Sequence, residues 1–396
     1  MNSNLRKRIS DIYRKNKDEG IALILFSLPY FVYKNSDYLP ENNIPVFSFH
    51  SVKPGLLEEQ FKYLSENNYK TLDSQSFYDV LTGNTKGTPN SIVLTFDDGR
   101  KSLWTTAFPL LKKYNFTAVS FIVPSIIEND EIKSPSLDDV WEGKGSLNEV
   151  ENIESEKPFC SWKEIKEMNL SGYVDFQSHS MYHASVFNNR KLVDFINPGF
   201  EASLLNSTLN PLEYCLENPK YSQQLLYGLP VYQWESNLTA RSRFVPNEHI
   251  NNSCIEYVHS HGDLSFFKNA GWRNELFSHF TKIKGNSEEG EFQNYQERIA
   301  EIKKDLLESR KTIEGYINKP VKHLCLPWYF GNDLTVQLSK ETGYECIYWG
   351  IKNTKSTNFI GDNPFYIKRI NDYYIFSLPG KNRISLGKQI LNKIQK

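Results

Sequence analysis

From residue 44 onward the sequence alternates short apolar runs with amphipathic stretches, and this alternation confines the chain to few folds. Ile44-Pro45-Val46-Phe47-Ser48-Phe49 has the composition of a strand, and a helical pattern follows over Gly55 to Glu66. Ser91 to Phe96 reads as a second strand, entered through Gly87-Thr88-Pro89-Asn90 and followed by a helix over Ser102 to Tyr114. Thr117 to Val123 is a third strand. Trp162 to Asn169, stopped by Gly172, is a helix ahead of a fourth strand at Tyr173 to Phe176. Strands that alternate with helices favour a parallel sheet with the helices outside it.

The rhythm breaks between about residues 187 and 290, which are rich in Asn, Ser, Pro and aromatics and show no long period. This stretch reads as an insertion of loops and short helices. Regularity returns with Phe292, Tyr295, Ile299, Ile302, Leu306, Ile313 and Ile317, which mark one face of a long helix. Strands are expected at His323 to Leu326, Glu345 to Trp349 and Tyr366 to Ile370, with helices at Leu334 to Thr342 and Ser385 to Ile394. The expected organisation is an N-terminal helical segment (1–43) and one large domain (44–396) that carries the insertion.

A formal net charge of -1 gives no electrostatic argument for nucleic acid as a partner. Five cysteines, an odd number with no CxxC pair, fit a reduced, cytoplasmic protein. Arg6, Lys7, Arg8, Arg14, Lys15 and Lys17 precede an apolar run, Ile21 to Tyr33, that is shorter than the ~20 residues a bilayer crossing needs. That run is read first as a packed helix, next as a peripheral membrane contact and last as a secretion signal. Oligomeric state has no signature here.

Three clusters of reactive side chains fall at expected strand C-termini, the edge where parallel sheets and barrels gather functional groups. His50 ends the first strand, Asp97 and Asp98 end the second, and His179 and His183 follow the fourth. The i, i+4 spacing of the last two puts both imidazoles on one helix face, within reach of a single ion. Two His and one Asp make a common set for a catalytic divalent metal. A cation would relieve the repulsion between adjacent Asp97 and Asp98, and the second carboxylate could take a proton from an activated water. Taken alone, Asp-Asp-Gly also fits a solvated turn, and the histidine spacing is a weak signal.

The combination is more specific. A strand ending in Thr95-Phe96-Asp97-Asp98-Gly99, followed by one ending in Ser178-His179-Ser180-Met181-Tyr182-His183, resembles the NodB-like polysaccharide deacetylases, carbohydrate esterase family four. The resemblance spans about residues 44 to 370 apart from the insertion. It implies an α/β fold, a distorted (β/α) barrel, and a divalent metal, usually zinc, held by Asp98, His179 and His183. It also implies that Asp97 is the catalytic base. Pro45 to His50 is similar to the opening of one branch of the family, and Cys160-Ser161-Trp162-Lys163 to the helix before its His motif. Two departures stand out. Many members carry an Arg two residues before the late proline, where this chain has Cys325, and many carry a late Leu-x-His, whereas no His follows His323 here.

The acid that protonates the leaving group must then come from elsewhere. His50 is the first candidate, though it could instead only hydrogen-bond another group of the site; His259 and His261 are the second. Trp328 and Tyr329 are expected to wall the substrate pocket, with a backbone N–H near Tyr329 facing the oxyanion. The implied activity is hydrolysis of an N-acyl group, most often acetyl, from an amino sugar in a polysaccharide, oligosaccharide or lipid-linked glycan. The rival reading is a degenerate member that binds glycan or scaffolds polysaccharide assembly, to which the missing Arg and His point.

Overall fold

The computed structural model describes residues 28–33, 36–200, 226–285, 287–350, 357–385 and 388. The chain divides into two compact units, one of residues 1–181, 309–329 and 339–396, the other of 182–308 and 330–338.

Seven short, buried apolar runs build the first unit. They are β1 (Val46–Phe49), β2 (Ser91–Asp98), β3 (Ala118–Ile122), β4 (Val174–Ser178), β5 (His323–Cys325), β6 (Cys346–Gly350) and β7 (Ile367–Asn371). Each pairs in parallel with the next in sequence, and β7 pairs with β1, so the sheet closes on itself. The closed ring is the expected (β/α) barrel. Lys70–Thr71 adds a short strand to the outside of the ring at β2. Pro45 splits the first expected strand: Asn43–Ile44 instead pairs antiparallel with Asn358–Phe359.

One side of each strand fills the barrel. Val46, Val93, Val119, Phe121, Cys325, Cys346, Tyr348 and Ile367 belong to one buried cluster. Because side chains alternate along a strand, Thr95 and Asp97 share a face with Val93, and Arg369 shares a face with Ile367. The strand expected to end at Phe96 runs on through both aspartates, with all eight residues buried. Asp is normally disfavoured in strands; here Asp97 has a buried counter-charge, described below.

The turn after β2 is pinned from beneath. Lys101, 1% exposed, places its ammonium 2.9 Å from the Glu164 carboxylate, which is 0% exposed. The same carboxylate accepts from the backbone N–H of Ser134 and of Ser161, 2.8 Å each, so its lone pairs are well used. Gly99 has φ +75°, and a β-carbon there would come within 2.8 Å of Ile127 Cδ1.

The second unit has its own core of Phe187, Phe195, Tyr232, Phe244, Cys254, Leu276 and Phe280, among others. Ser185–Phe195 pairs antiparallel with Pro230–Ser236, and Phe244–Pro246 with Gly290–Phe292. Two helices, Glu248–Ser260 and Trp272–Lys284, run longer than the sequence suggests. Each buries only three residues at i, i+4, i+8 spacing, Ile250-Cys254-Val258 and Trp272-Leu276-Phe280, which is a thin stripe to detect. The long helix expected after residue 292 is Tyr295–Ile317.

The N-terminal segment contributes one turn, Tyr30–Tyr33, with the rest of that expectation lying largely outside the described residues. The final helix expected at 385–394 also falls almost wholly outside them. Among the described residues no helix is long and apolar enough to cross a membrane.

Lys101→Met would leave the Glu164 carboxyl buried without its cation. The expected result is a loss of about 3–5 kcal/mol in unfolding free energy, measured by urea denaturation.

Candidate active site

The groups singled out in the sequence come from different strands but the same end of the barrel. Asp97 and Asp98 close β2, His50 follows β1, and His179 follows β4, where its backbone N–H donates to Ile122 O of β3 at 2.9 Å.

Asp97 is 1% exposed, and its two oxygens stand in different surroundings. Oδ1 accepts from Arg369 Nη1 at 2.7 Å, and the Cys325 Sγ lies 3.9 Å from it. Oδ2 accepts no hydrogen bond among the described residues, and the His50 Nε2 lies 3.8 Å away. Burial alone would push this carboxyl up, but the charge and hydrogen bond of Arg369 outweigh it and hold the group well below the usual carboxylate range. Asp97 is therefore ionised at neutral pH with one oxygen tied down and one able to accept a proton.

Arg369 was not singled out in the sequence. It projects from β7, is 2% exposed, and also reaches Thr95 Oγ1 at 3.3 Å. The position two residues before Pro327, where the family resemblance anticipates an Arg, holds the buried thiol of Cys325. The cation beside Asp97 is thus supplied by another strand. The sequence held one trace of it: alternation puts Arg369 on the apolar face of its strand, with Ile367.

His179 is buried, and its Nδ1 lies 2.9 Å from the Cys325 carbonyl oxygen. A carbonyl only accepts, so Nδ1 carries the proton and Nε2 presents its lone pair. Burial lowers the pKa of the ring, partly offset by Asp97 and Asp98, so it is neutral and suited to ligate. Nε2 stands 3.6 Å from Asp98 Oδ1. The other Asp98 oxygen accepts from Arg100 Nε at 3.1 Å.

His183 corrects an expectation. Residues 179–184 form no helix, because Ser180 and His183 have φ of +67° and +51°, in the left-handed region that ends helical propagation. The loop nevertheless brings donor atoms of Asp98, His179 and His183 within 4.8 Å of one another. One carboxylate and two imidazoles suit zinc or a similar divalent cation. Asp97, His179 and Cys325 also lie within that distance. There, however, a guanidinium already holds Asp97, and burial keeps Cys325 a neutral thiol.

Tyr329 and Trp328 follow β5 on backbone with φ of +62° and +57°. The Tyr329 ring lies edge-on to His50 with centroids 6.4 Å apart, and its centroid is 5.3 Å from the Arg369 guanidinium carbon. The Tyr329 N–H donates to Leu326 O at 3.2 Å. His259 and His261 are engaged within the second unit, with Asp263 and with the Tyr257 carbonyl respectively.

Comparison with known proteins adds the following. Residues 84–198 match the polysaccharide deacetylase family model. A poly-beta-1,6-N-acetyl-D-glucosamine N-deacetylase of Escherichia coli (strain K12) is 30% identical over 132 residues, 33% of this chain and 18% of that protein. The Staphylococcus aureus (strain MRSA252) protein of the same name is 27% identical over 186 residues, 46% of this chain and 54% of that one. The chain thus spans about a fifth to a half of the lengths of these relatives. Among solved structures, a de-N-acetylase from Aggregatibacter actinomycetemcomitans is similar with a TM-score of 0.49 and 19% identity, covering 89% of this chain and 100% of that one. A deacetylase domain from Bordetella bronchiseptica has a TM-score of 0.49 and 18% identity, covering 84% and 97%.

Replacing Arg369 by Met would strand the Asp97 carboxylate in the barrel. Its pKa is depressed in the wild type, so the pair's contribution to stability is complete above about pH 4 and fades as the pH falls below it. In the variant burial raises the carboxyl instead, so stability should decline as the pH climbs above about 4, by about 3–5 kcal/mol at neutrality. Denaturation series at several pH values read both the size and the reversed slope.

Proposed function

We propose, from the premise that residues 84–198 belong to the polysaccharide deacetylase family, that this chain is a hydrolase that cleaves the amide of an N-acetylated amino sugar in a glycan. The observation that carries the reading is the divided Asp97 carboxylate, with Oδ1 fixed by Arg369 and Oδ2 open beside His50.

Asp98, His179 and His183 would hold a divalent cation, zinc by the chemistry of the donors. Bound there, the cation supplies Lewis acidity, polarising the amide carbonyl and lowering the pKa of a water. Asp97 Oδ2 accepts the proton of the attacking water. The oxygen adds to the carbonyl carbon, and the C–N bond then breaks to leave acetate and a free amine. His50, exposed and 3.8 Å from Asp97 Oδ2, is placed to deliver the proton that the leaving nitrogen takes up. Tyr329 and Trp328 wall the approach and orient the sugar.

The missing Arg weighed toward a glycan binder without turnover; Arg369 supports the catalytic reading instead. The names of the relatives suggest poly-β-1,6-linked N-acetylglucosamine as the first substrate to try. Lipid-linked N-acetylglucosamine belongs in the same panel, and a peripheral membrane contact through the basic N-terminus is part of that proposal.

Acetate release from these glycans, with zinc and with chelator, tests the proposal. Asp97→Asn should lower kcat by at least ~100-fold and keep stoichiometric metal, whereas His179→Ala should lose the metal. Acetate release by Asp97→Asn at the wild-type rate would refute the assignment. His50→Gln should lower kcat by ~100-fold or more and leave metal content unchanged.

A further inference from the structure

Arg369 holds Asp97 through a single nitrogen. Only Nη1 is hydrogen-bonded, to Asp97 and Thr95, while Nε and Nη2 are buried and have no hydrogen-bond partner among the described residues. A guanidinium fixed at one corner can pivot about that corner. What remains to fix its plane is packing against two rings, Tyr329 at 5.3 Å and Phe121 at 5.9 Å from the guanidinium carbon.

The Tyr329 ring reaches that place because a neighbouring side chain is absent. Gly350, the last residue of β6, is the register partner of Arg369 in the parallel β6–β7 pair. Register partners project on the same face of a sheet, so a side chain at 350 would stand beside the guanidinium. A β-carbon built there would lie 2.0 Å from Tyr329 Cγ, 2.1 Å from Cδ1 and 2.3 Å from Cβ. These atoms are the root of the Tyr329 side chain, which cannot swing aside without moving its backbone. That backbone is itself constrained, with φ of +57° and +62° at two successive aromatic residues, in a region side-chain-bearing residues seldom adopt. Gly350 is not among the positive-φ glycines, so its conformation does not demand glycine. The demand is for space.

We propose that Gly350 is a positioning residue for the deacetylation proposed above: by lacking a side chain it seats the Tyr329 ring on Arg369, and the seated ring keeps the guanidinium on Asp97 Oδ1 so that Oδ2 stays directed at the water. The inference rests on that functional reading. It adds a chain of three contacts, Gly350 to Tyr329, Tyr329 to Arg369 and Arg369 to Asp97, of which only the last touches the base.

A double-mutant cycle tests it, with Gly350→Ala, Tyr329→Gly and the pair assayed for acetate release from N-acetylglucosamine oligomers. Gly350→Ala should lower kcat by ~10- to 100-fold with KM within about twofold, as a misplaced catalytic group does. In the Tyr329→Gly background, where the whole side chain is gone, the same substitution should have little further effect on kcat. Melting temperatures of the four proteins provide a second readout: the drop caused by Gly350→Ala should largely vanish once the ring is removed. If Gly350→Ala fails to fold, Tyr329→Gly decides, since it removes the ring and leaves Gly350 in place; wild-type kcat in that variant overturns the proposal. Additive losses of kcat in the cycle, or wild-type kcat in Gly350→Ala, overturn it as well. A wild-type protein that releases no acetate from any of the glycans refutes the functional reading instead, and the melting cycle still reports whether Gly350 seats the ring.

Discussion

One buried ion pair organises the barrel mouth. Asp97 and Arg369, each 1% exposed at the side chain, face each other from β2 and β7. Two charges removed from water are stable only when paired and further hydrogen-bonded. The pair meets that condition unevenly: the carboxylate gives one oxygen to the guanidinium while the other accepts no hydrogen bond among the described residues, and two guanidinium nitrogens have no acceptor there, with the Tyr329 and Phe121 rings 5.3 and 5.9 Å from the guanidinium carbon. The site therefore contains a fixed negative charge with one oxygen that accepts no hydrogen bond among the described residues.

Closure of the sheet makes such a pair available. Residues 97 and 369 are far apart in sequence, and β7 returns to pair with β1, which pairs with β2, so the last strand of the ring lies two positions from Asp97. In an open sheet the first and last strands would be edges, exposed to water. In the ring, their interior face is dry, and the same dryness that strengthens the electrostatics of the pair makes every unpaired polar atom in the barrel costly.

The strands were legible because each is a short apolar run bounded by turn residues, and the reactive groups were legible because they sit where those runs stop. His50, Asp97, Asp98 and His179 could be placed at strand ends without coordinates. The loop at His183 could not, since an i, i+4 spacing fits a helical face or a tight loop, and only the left-handed angles at Ser180 and His183 separate the two. Arg369 escaped notice because a cation in a short strand reads as solvent-facing unless its partner is known. Gly350 escaped because the absence of a side chain has meaning only once its neighbour's ring is located. The helices of the second unit were hidden for a different reason: three buried residues per helix give too little periodic signal against an aromatic-rich background.

The bond from His179 Nδ1 to the carbonyl of residue 325 has a consequence for what the site can tolerate. The imidazole is oriented by main chain at the end of β5, not by the side chain found there. The proton on Nδ1 is thus set by the barrel backbone, which every residue type supplies alike. Side-chain identity at 325 is uncoupled from the orientation of Nε2. Position 325 can carry a thiol, and the cation that neutralises Asp97 can arrive from another strand, while the imidazole keeps its anchor.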